Sequence, residues 1–413
     1  LCLEIHKSNL TKKIVCFPGN PGTSELAKNI DIDISNFKIL LKHIKLNKID
    51  LVIVGPEEPL VNGLVDFLDK NKIKVFGPNK FASKLEGSKI FMKNLCKLNK
   101  IPTAKFSTCE SKIHIQNFLK NTKFPIVVKA DGLAAGKGVT ICKSKKEVFK
   151  ISHEIFSGKF KSSRKIVLEE FLDGVEVSYF LVVDKKTFKF FGTAQDHKRV
   201  GEGDTGPNTG GMGAYSPAPI INKRLENKII SKIVKPTLLA LKKKGNPYKG
   251  FLYVGLMIVK NEPYLIEYNV RMGDPECQTI LPRLKTDIVR IINNAVNNKL
   301  DKTKINWESD KSMTIVLCSK GYPKNYEKNK KIMNIDKVNL KKKDFIYHAG
   351  TKLEKGKLLS NGGRVLNISS MGKKFKNIRI RILTILKKIN WKNGFYRKDI
   401  GWKVINRYEN SKR

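Results

Sequence analysis

"KADGLAAGKGVTI" (Lys129–Ile141) decides how this chain is read. It is similar to a phosphate-binding P-loop, but a P-loop has four residues between its glycines and a Ser or Thr after its Lys. Here three residues separate Gly132 from Gly136, and Gly138 follows Lys137. A P-loop also leads into a helix, whereas β-branched Val139-Thr140-Ile141 follows this one and "FPIVVKAD" (124–131) precedes it. Two strand-like runs around a Gly-rich turn predict a β-hairpin. Its glycines let backbone N–H groups approach phosphate closely, and Lys137 adds charge. A purely structural turn is the alternative that the stretch alone leaves open.

Upstream, "KKIVCFP" (12–18), "DLVIVGPEEP" (50–59) and "KVFG" (74–77) are short apolar runs, each ended by Gly or Pro, with helical patterns between them. That alternation predicts a parallel α/β sheet, whose ligands collect at the carboxyl ends of strands. "GSKIFMKNLCKLNKIP" (87–102) is a basic amphipathic helix closed by Pro. Downstream, "RKIVLEEFLDGVEVSYFLVV" (164–183) is strand, acidic bend, strand, and "GDTGPNTGGMGAYSP" (203–217) is a loop too polar and Gly-rich for a core element. A helical stretch (222–244) leads to "GFLYVGLMIVKNEPYLIEYNVRMGDPE" (250–276), two strands around a turn at Lys260–Pro263. From Asp310 the chain is β-rich with short turns and a helix at 373–389, a separate small α+β unit. The expected division is an N-terminal domain (1–86), a central domain (87–309, with a lid at about 106–173) and a C-terminal domain (310–413).

A chain of 413 residues, 40% hydrophobic, has material for several cores. Its seven cysteines have no metal-ligand spacing, which fits reduced thiols in the cytoplasm. No apolar run approaches a membrane span. The net charge of +44 comes from 81 basic residues of which only 12 are Arg. Nucleic-acid readers favour Arg, and no aromatic platform or binding motif accompanies runs such as Lys242–Lys244. The expectation is a Lys-biased solvated surface with no specific nucleic-acid or membrane partner.

The sharpest chemistry lies in "LIEYNVR" (265–271). Alternation along a strand puts Glu267, Asn269 and Arg271 on one face and Tyr268 and Val270 on the other. A carboxylate and an amide oxygen two residues apart suit Mg²⁺, which leaves room for phosphate oxygens. Arg271 on the same face can neutralise a transferring phosphoryl group. An exposed polar strand face is the bland alternative. Lys129, on a buried-looking strand, needs an anionic partner, for which phosphate is the natural choice. Glu169, Glu170 and Glu176 flank Leu172-Asp173-Gly174, where a bend's backbone can meet an adenine edge and a carboxylate a ribose; surface acids are the alternative. His197, in "DHKR" (196–199), has no paired nucleophile and reads better as structural than catalytic.

"KADGLAAGKGV", "EEFLDGVEVS", "DHKRVGEGDTGPNTGGMGAYSP", "IEYNVRMGDPE" and "HAGTK…NGGRVL" together resemble the phosphoribosylamine–glycine ligase family of ATP-grasp enzymes, from Leu1 to about Arg407. The resemblance implies an α/β and α+β multidomain fold: a Rossmann-like N-terminal domain, an ATP-grasp domain with a hinged lid, and a small C-terminal α+β domain. It implies ligation of glycine to 5-phosphoribosylamine in purine synthesis, with ATP and Mg²⁺ (or Mn²⁺), through glycyl phosphate, in a cytoplasmic monomer. Residue by residue, it makes Glu267 and Asn269 metal ligands and Arg271 the phosphoryl-steadying arginine. Lys89 and Lys129 become ATP-phosphate lysines, and Gly132, Gly136, Lys137 and Gly138 the flap over the phosphates. Glu170, Phe171 and Leu172 match the adenine hinge, and Glu176 the ribose contact. Asp274 and the loop 205–214 are implied to face glycine and ribosylamine. Two departures accompany it. Many ATP-grasp enzymes have a further metal carboxylate about twelve residues before this Glu, where Gly255 stands, though this family is Gly-like there too. The family also opens with a strand and Gly-rich turn, and the expectation is that about a dozen such residues precede Leu1.

Overall fold

The computed structural model describes residues 1–134, 138–160 and 164–409. In the N-terminal segment, β1 (Val15–Cys16) pairs in parallel with β2 (Lys28–Asn29), and β3 (Val52–Ile53) with β4 (Val75–Phe76). The single parallel sheet expected from the sequence is instead two separate pairs. Each run contributes only two ladder residues before Pro18, Gly55-Pro56 or Gly77-Pro78, and Pro has no N–H to extend a ladder. Helices cover the pairs and bury Leu40, Ile44, Leu60, Leu64 and Leu68.

The hairpin predicted around the opening stretch exists. β6 (Ile126–Ala130) and β7 (Val139–Cys142) pair antiparallel, with Lys129 opposite Val139. They belong to a four-stranded sheet with β5 (Phe106–Cys109) and β8 (Ile166–Glu170) in the order β5-β8-β6-β7. Two helices, Lys112–Lys120 and Lys145–Phe156, back this sheet, each N-capped by a Ser hydroxyl (Ser111, Ser144). Ile126, Val128, Val148, Ile155, Ile166 and Leu168 form a hydrophobic cluster of its own, so the unit has the internal cohesion to move as one body.

The main sheet begins with β9 (Val175–Val183) and β10 (Phe188–Asp196). A small hairpin, β11 (Arg199–Gly201) with β12 (Thr205–Asn208), leads to β13 (Gly213–Ser216). Next come β14 (Gly250–Val259) and β15 (Glu262–Asn269), joined through Lys260 and Asn261, both left-handed (φ 48° and 63°), as a two-residue hairpin turn requires. β16 (Lys311–Ser319), β17 (Asp344–His348), the hairpin β18 (Thr351–Glu354)/β19 (Lys357–Ser360), β20 (Arg364–Gly372) and β21 (Gly394–Phe395) complete the chain. The C-terminal unit is α+β, yet its strands extend the central sheet rather than form one apart. The order is β15-β14-β9-β10-β13-β16-β20-β17, with β13 bonded to β16 from Gly213↔Ile315 to Ser216↔Ser312.

The helix Phe375–Ile389 covers this end, burying Phe375, Ile378, Ile382, Ile385 and Ile389 at helical spacing. Each fully buried side chain of this size contributes about 1.5–3 kcal/mol. That anchoring makes the sheet a fixed floor, with β15 as its far edge strand, where the Leu265 N–H donates to the Pro102 carbonyl at 2.8 Å. Among the described residues all seven cysteines are free, and no helix is long and apolar enough to cross a membrane.

Candidate active site

Glu267 and Asn269 project from the same face of β15, as alternation predicts, while Tyr268 and Val270 are each 1% exposed on the other. Glu267 lies opposite Gly255 of β14. A Cβ at 255 would sit 2.9 Å from the Glu267 Cγ. A side chain at 255 would therefore require the Glu267 side chain to shift.

Lys198 bridges two carboxylates of this floor. Its Nζ is 3.4 Å from Glu267 Oε1 and also pairs with Glu176 Oε1. Burial pushes the Glu267 carboxyl up, but Lys198, Lys129 and Lys89 outweigh it and hold it below the usual carboxylate range. The neighbouring acids are not so well matched. Burial raises the Asp196 carboxyl well above its ordinary value against the pull of Lys198, with Glu276, Glu176 and Glu267 adding to the rise. Burial also raises Glu276, whose Oε1 accepts from Ser178 Oγ at 3.1 Å.

Arg271 follows the end of β15. Its guanidinium is held by Glu57 (Nε to Oε2, 3.2 Å) and Glu86 (Nη2 to Oε1, 2.9 Å), from two different helices. Glu86 also accepts the Val270 N–H at 2.7 Å. One atom of the Asn269 amide faces two acceptors, Glu86 Oε1 and the Tyr268 carbonyl, so the amide is assigned with its nitrogen on that side, where it donates to each at 3.1 Å. Burial pushes the Glu86 carboxyl up to about 7, opposed by Arg271 and the Val270 N–H.

Across the cleft, Lys129 is 5% exposed and pairs with a carboxylate of the chain itself. Its Nζ lies 2.9 Å from Glu169 Oε1 and donates to the Ile266 carbonyl at 3.3 Å. Lys93, from the helix Lys89–Leu98, takes the other Glu169 oxygen at 3.1 Å. Lys89 donates to the Gly132 carbonyl at 2.9 Å, and burial lowers its pKa. Asp131 accepts from Ser88 Oγ and from the Ile90 N–H, both at 3.1 Å, tying the hairpin to that helix's start. Gly132 is left-handed (φ 81°), and a Cβ on Gly138 would meet the Ala134 Cβ at 2.7 Å, so both glycines answer to backbone shape. Gly136 and Lys137 lie outside the described residues. Glu170, Phe171 and Leu172 form the link from β8 to β9; Glu170 Oε1 accepts the Lys105 N–H at 2.8 Å, and Phe171 is exposed.

Asp274 stands on a different wall. Arg364 of β20 grips its carboxylate (Nη2 to Oδ2, 2.8 Å) and donates to the carbonyls of Asp274 and Gly210, each at 2.7 Å. The loop 209–211, the 271–276 turn and the C-terminal unit thus meet at one guanidinium. His197 faces away from the cleft: it accepts the Gly401 N–H at Nε2 (2.9 Å) and faces Asp204 through Nδ1 (3.3 Å), a structural role.

The structure brings Lys89, Lys129, Glu176, Glu267, Asn269 and Arg271 into one charged cleft. It adds Glu57, Glu86, Lys93 and Lys198, which the sequence reading missed. Lys198 stands in the link between β10 and β11, beside the His that drew attention instead. For a divalent cation, Glu267 and Asn269 supply hard oxygen donors amid an excess of carboxylates. Two such donors suit an ion whose remaining positions are taken by phosphate oxygens and water; among the described residues no three His, Cys, Asp or Glu side chains form a ligand cluster.

Three models of the phosphoribosylglycinamide synthetase family match the chain: the N domain over residues 1–86, the ATP-grasp (A) domain over 87–277 and the C domain over 312–403. The phosphoribosylamine–glycine ligase of Agrobacterium fabrum is 44% identical over 408 residues, 98% of this chain and 96% of the relative. The crystal structure of the Thermotoga maritima phosphoribosylamine–glycine ligase superposes with a TM-score of 0.84 at 33% identity, covering 97% and 96% of the two chains. A biotin carboxylase domain of Hydrogenobacter thermophilus 2-oxoglutarate carboxylase, solved with MgADP and bicarbonate, has a TM-score of 0.72 at 15% identity over 94% of this chain and 87% of that one, a likeness of fold alone.

Proposed function

The chain belongs to the phosphoribosylglycinamide synthetase family, and from that premise we propose how its own residues carry the reaction. That reaction is the ATP-dependent ligation of glycine to 5-phosphoribosylamine in purine synthesis. ATP lies between the four-stranded lid and the main sheet. The adenine packs against the Glu170-Phe171-Leu172 link, and Glu176 receives the ribose hydroxyls. Lys89, Lys129 and the hairpin from Gly132 to Gly138 hold the phosphates. Closure of the lid excludes water, which protects the reactive acyl phosphate. Glu267 and Asn269 would hold Mg²⁺ or Mn²⁺, which when bound would supply charge neutralisation at the phosphates.

A glycine carboxylate oxygen attacks the γ-phosphorus, and the bond to the β–γ bridging oxygen breaks, so ADP departs with that electron pair. Arg271 steadies the charge on the transferring group. The ribosylamine nitrogen then attacks the acyl carbon of glycyl phosphate; phosphate leaves, the nitrogen loses its proton, and glycinamide ribonucleotide results. Asp274, fixed by Arg364, and the loop 205–214 form the wall where these two substrates sit. Cytoplasmic location and a monomeric state belong to the same proposal.

The observation that carries these assignments is that β15 presents Glu267 and Asn269, with Arg271 just beyond its end, and that the charges of Lys89 and Lys129 bear on Glu267. A coupled ADP-release assay with glycine and fresh phosphoribosylamine tests it. ADP release is expected to require glycine and to collapse in Glu267→Ala. Glycine-independent release, or an unaffected Glu267→Ala, overturns the site assignment.

A further inference from the structure

Glu86 stands outside the metal and phosphate ligands proposed above, yet three donors from consecutive residues converge on its carboxylate. Its Oε2 takes the Val270 N–H at 2.7 Å; its Oε1 takes Arg271 Nη2 at 2.9 Å and the Asn269 amide nitrogen at 3.1 Å. The side chain is 7% exposed and sits on the short helix Lys84–Gly87, immediately before the segment that carries Lys89. An Asn side chain has two faces of opposite chemistry, and only its oxygen can ligate a cation. With the nitrogen committed to Glu86 and to the Tyr268 carbonyl, the oxygen is turned away from both acceptors. A packed strand alone does not fix that choice, because the amide's two orientations have nearly the same shape.

We propose that Glu86 is a positioning residue that sets the Asn269 amide with its oxygen toward the cation and holds Arg271 on the same side. It acts through Asn269 and touches neither nucleotide nor metal. Glu57 shares Arg271 at 3.2 Å, whereas every described bond of the Asn269 amide nitrogen runs to Glu86 or to its own strand. The two carboxylates therefore have separable effects. Outer-shell partners of this kind change metal affinity by roughly 10–100-fold when removed.

The inference rests on Asn269 as a cation ligand, and Mn²⁺ binding measured by electron paramagnetic resonance, with a non-hydrolysable ATP analogue present, tests both. Glu86→Gln keeps the size of the side chain and one acceptor. If that acceptor stays on the Val270 N–H, the new amide nitrogen faces Asn269, whose amide rotates and offers its NH₂ to the metal. Mn²⁺ affinity is expected to fall about 10-fold or more. Glu57→Gln, which removes the same charge nearby, is expected to leave it within about threefold, because it does not touch the amide. In the double variant Glu86→Gln/Asn269→Asp, Gln donates to one Asp oxygen and the other faces the cation, so affinity returns to within about threefold of the parent. Equal Mn²⁺ binding by Glu86→Gln and the parent overturns the inference, as does a double variant no better than Glu86→Gln with both melting like the parent. If Glu86→Gln is unfolded, the double variant decides: folded and Mn²⁺-binding supports the inference, and folded without binding overturns it. An Asn269→Ala variant that binds Mn²⁺ normally fails the metal-site reading instead, and so separates the two.

Discussion

His197 and Lys198 are consecutive residues that serve two different charge networks. His197 enters a closed network: its ring takes the Gly401 N–H and meets Asp204, which also pairs with Arg397 at 2.9 Å and Lys403 at 2.6 Å. Arg397, 1% exposed, completes the set through Asp399 at 2.7 Å. Every charge there is answered by the chain. Lys198 instead stands among Glu176, Glu267, Asp196 and Glu276; burial pushes Asp196 and Glu276 up, and the pull of Lys198 does not offset it. The lesson is one of completeness. A matched buried network holds two segments together, and a mismatched one is built to receive charge from outside.

The largest effect that can break this comparison is on chemistry. Glu267→Ala is expected to lower glycine-dependent ADP release at least about 100-fold with little change in thermal unfolding; unchanged turnover would place the working charge elsewhere. Lys198→Met removes the internal cation and leaves Glu176 and Glu267 facing each other. Turnover is expected to fall, while Mn²⁺ binding without nucleotide tightens, since two freed carboxylates now want an ion. Weaker Mn²⁺ binding in that variant would mean that Lys198 orders the ligands rather than competing for them. On the other side, Arg397→Met leaves Asp399 and part of Asp204 uncompensated and is expected to destabilise the fold by about 3 kcal/mol. Below its melting range its kcat/KM is expected to stay near that of the parent. A folded but inactive Arg397→Met would erase the distinction.

The same contrast marks what the sequence could disclose. Glu267 and Asn269 are legible because both sit on one strand, where parity fixes their shared face. The hairpin from Lys129 to Ile141 is legible because β-branched residues flank its glycines. Glu57, Glu86 and Lys93 come from helices that reach the site only through packing, so no spacing along the chain ties them to Arg271 or Lys129. Parity says that Lys129 needs an anion, but not that Glu169 of a neighbouring strand already supplies one. Likewise the C-terminal run after Asp310 reads as a separate unit. Its strands join the main sheet through β13, four residues inside a stretch read as loop.

The smallest expected effect is a slope. Burial lowers the His197 pKa, opposed by its bond to Asp204, with the Arg397 charge adding to the lowering. An unfolded His titrates near its ordinary value of about 6.5. Below that pH the unfolded chain binds a proton that the native ring resists, so His197's contribution is intact above about 6.5 and is lost as pH falls toward the depressed native value. Asp204 and Asp399 are held below the usual carboxylate range and are silent between pH 5.5 and 7.5. Glu86, pushed up to about 7, does titrate there, and burial lowers the His348 pKa. The measurement is therefore a difference: unfolding stability of the parent minus that of His197→Gln, which keeps an acceptor for Gly401 and a donor for Asp204. That difference is expected to grow from pH 5.5 to 7.5, by at most about 1.4 kcal/mol per pH unit for one proton. A flat difference would mean that folding leaves the His197 pKa at its ordinary value, and a difference that shrinks as pH rises would mean that the ring is protonated in the folded chain, its network then carrying unmatched charge like that of Lys198.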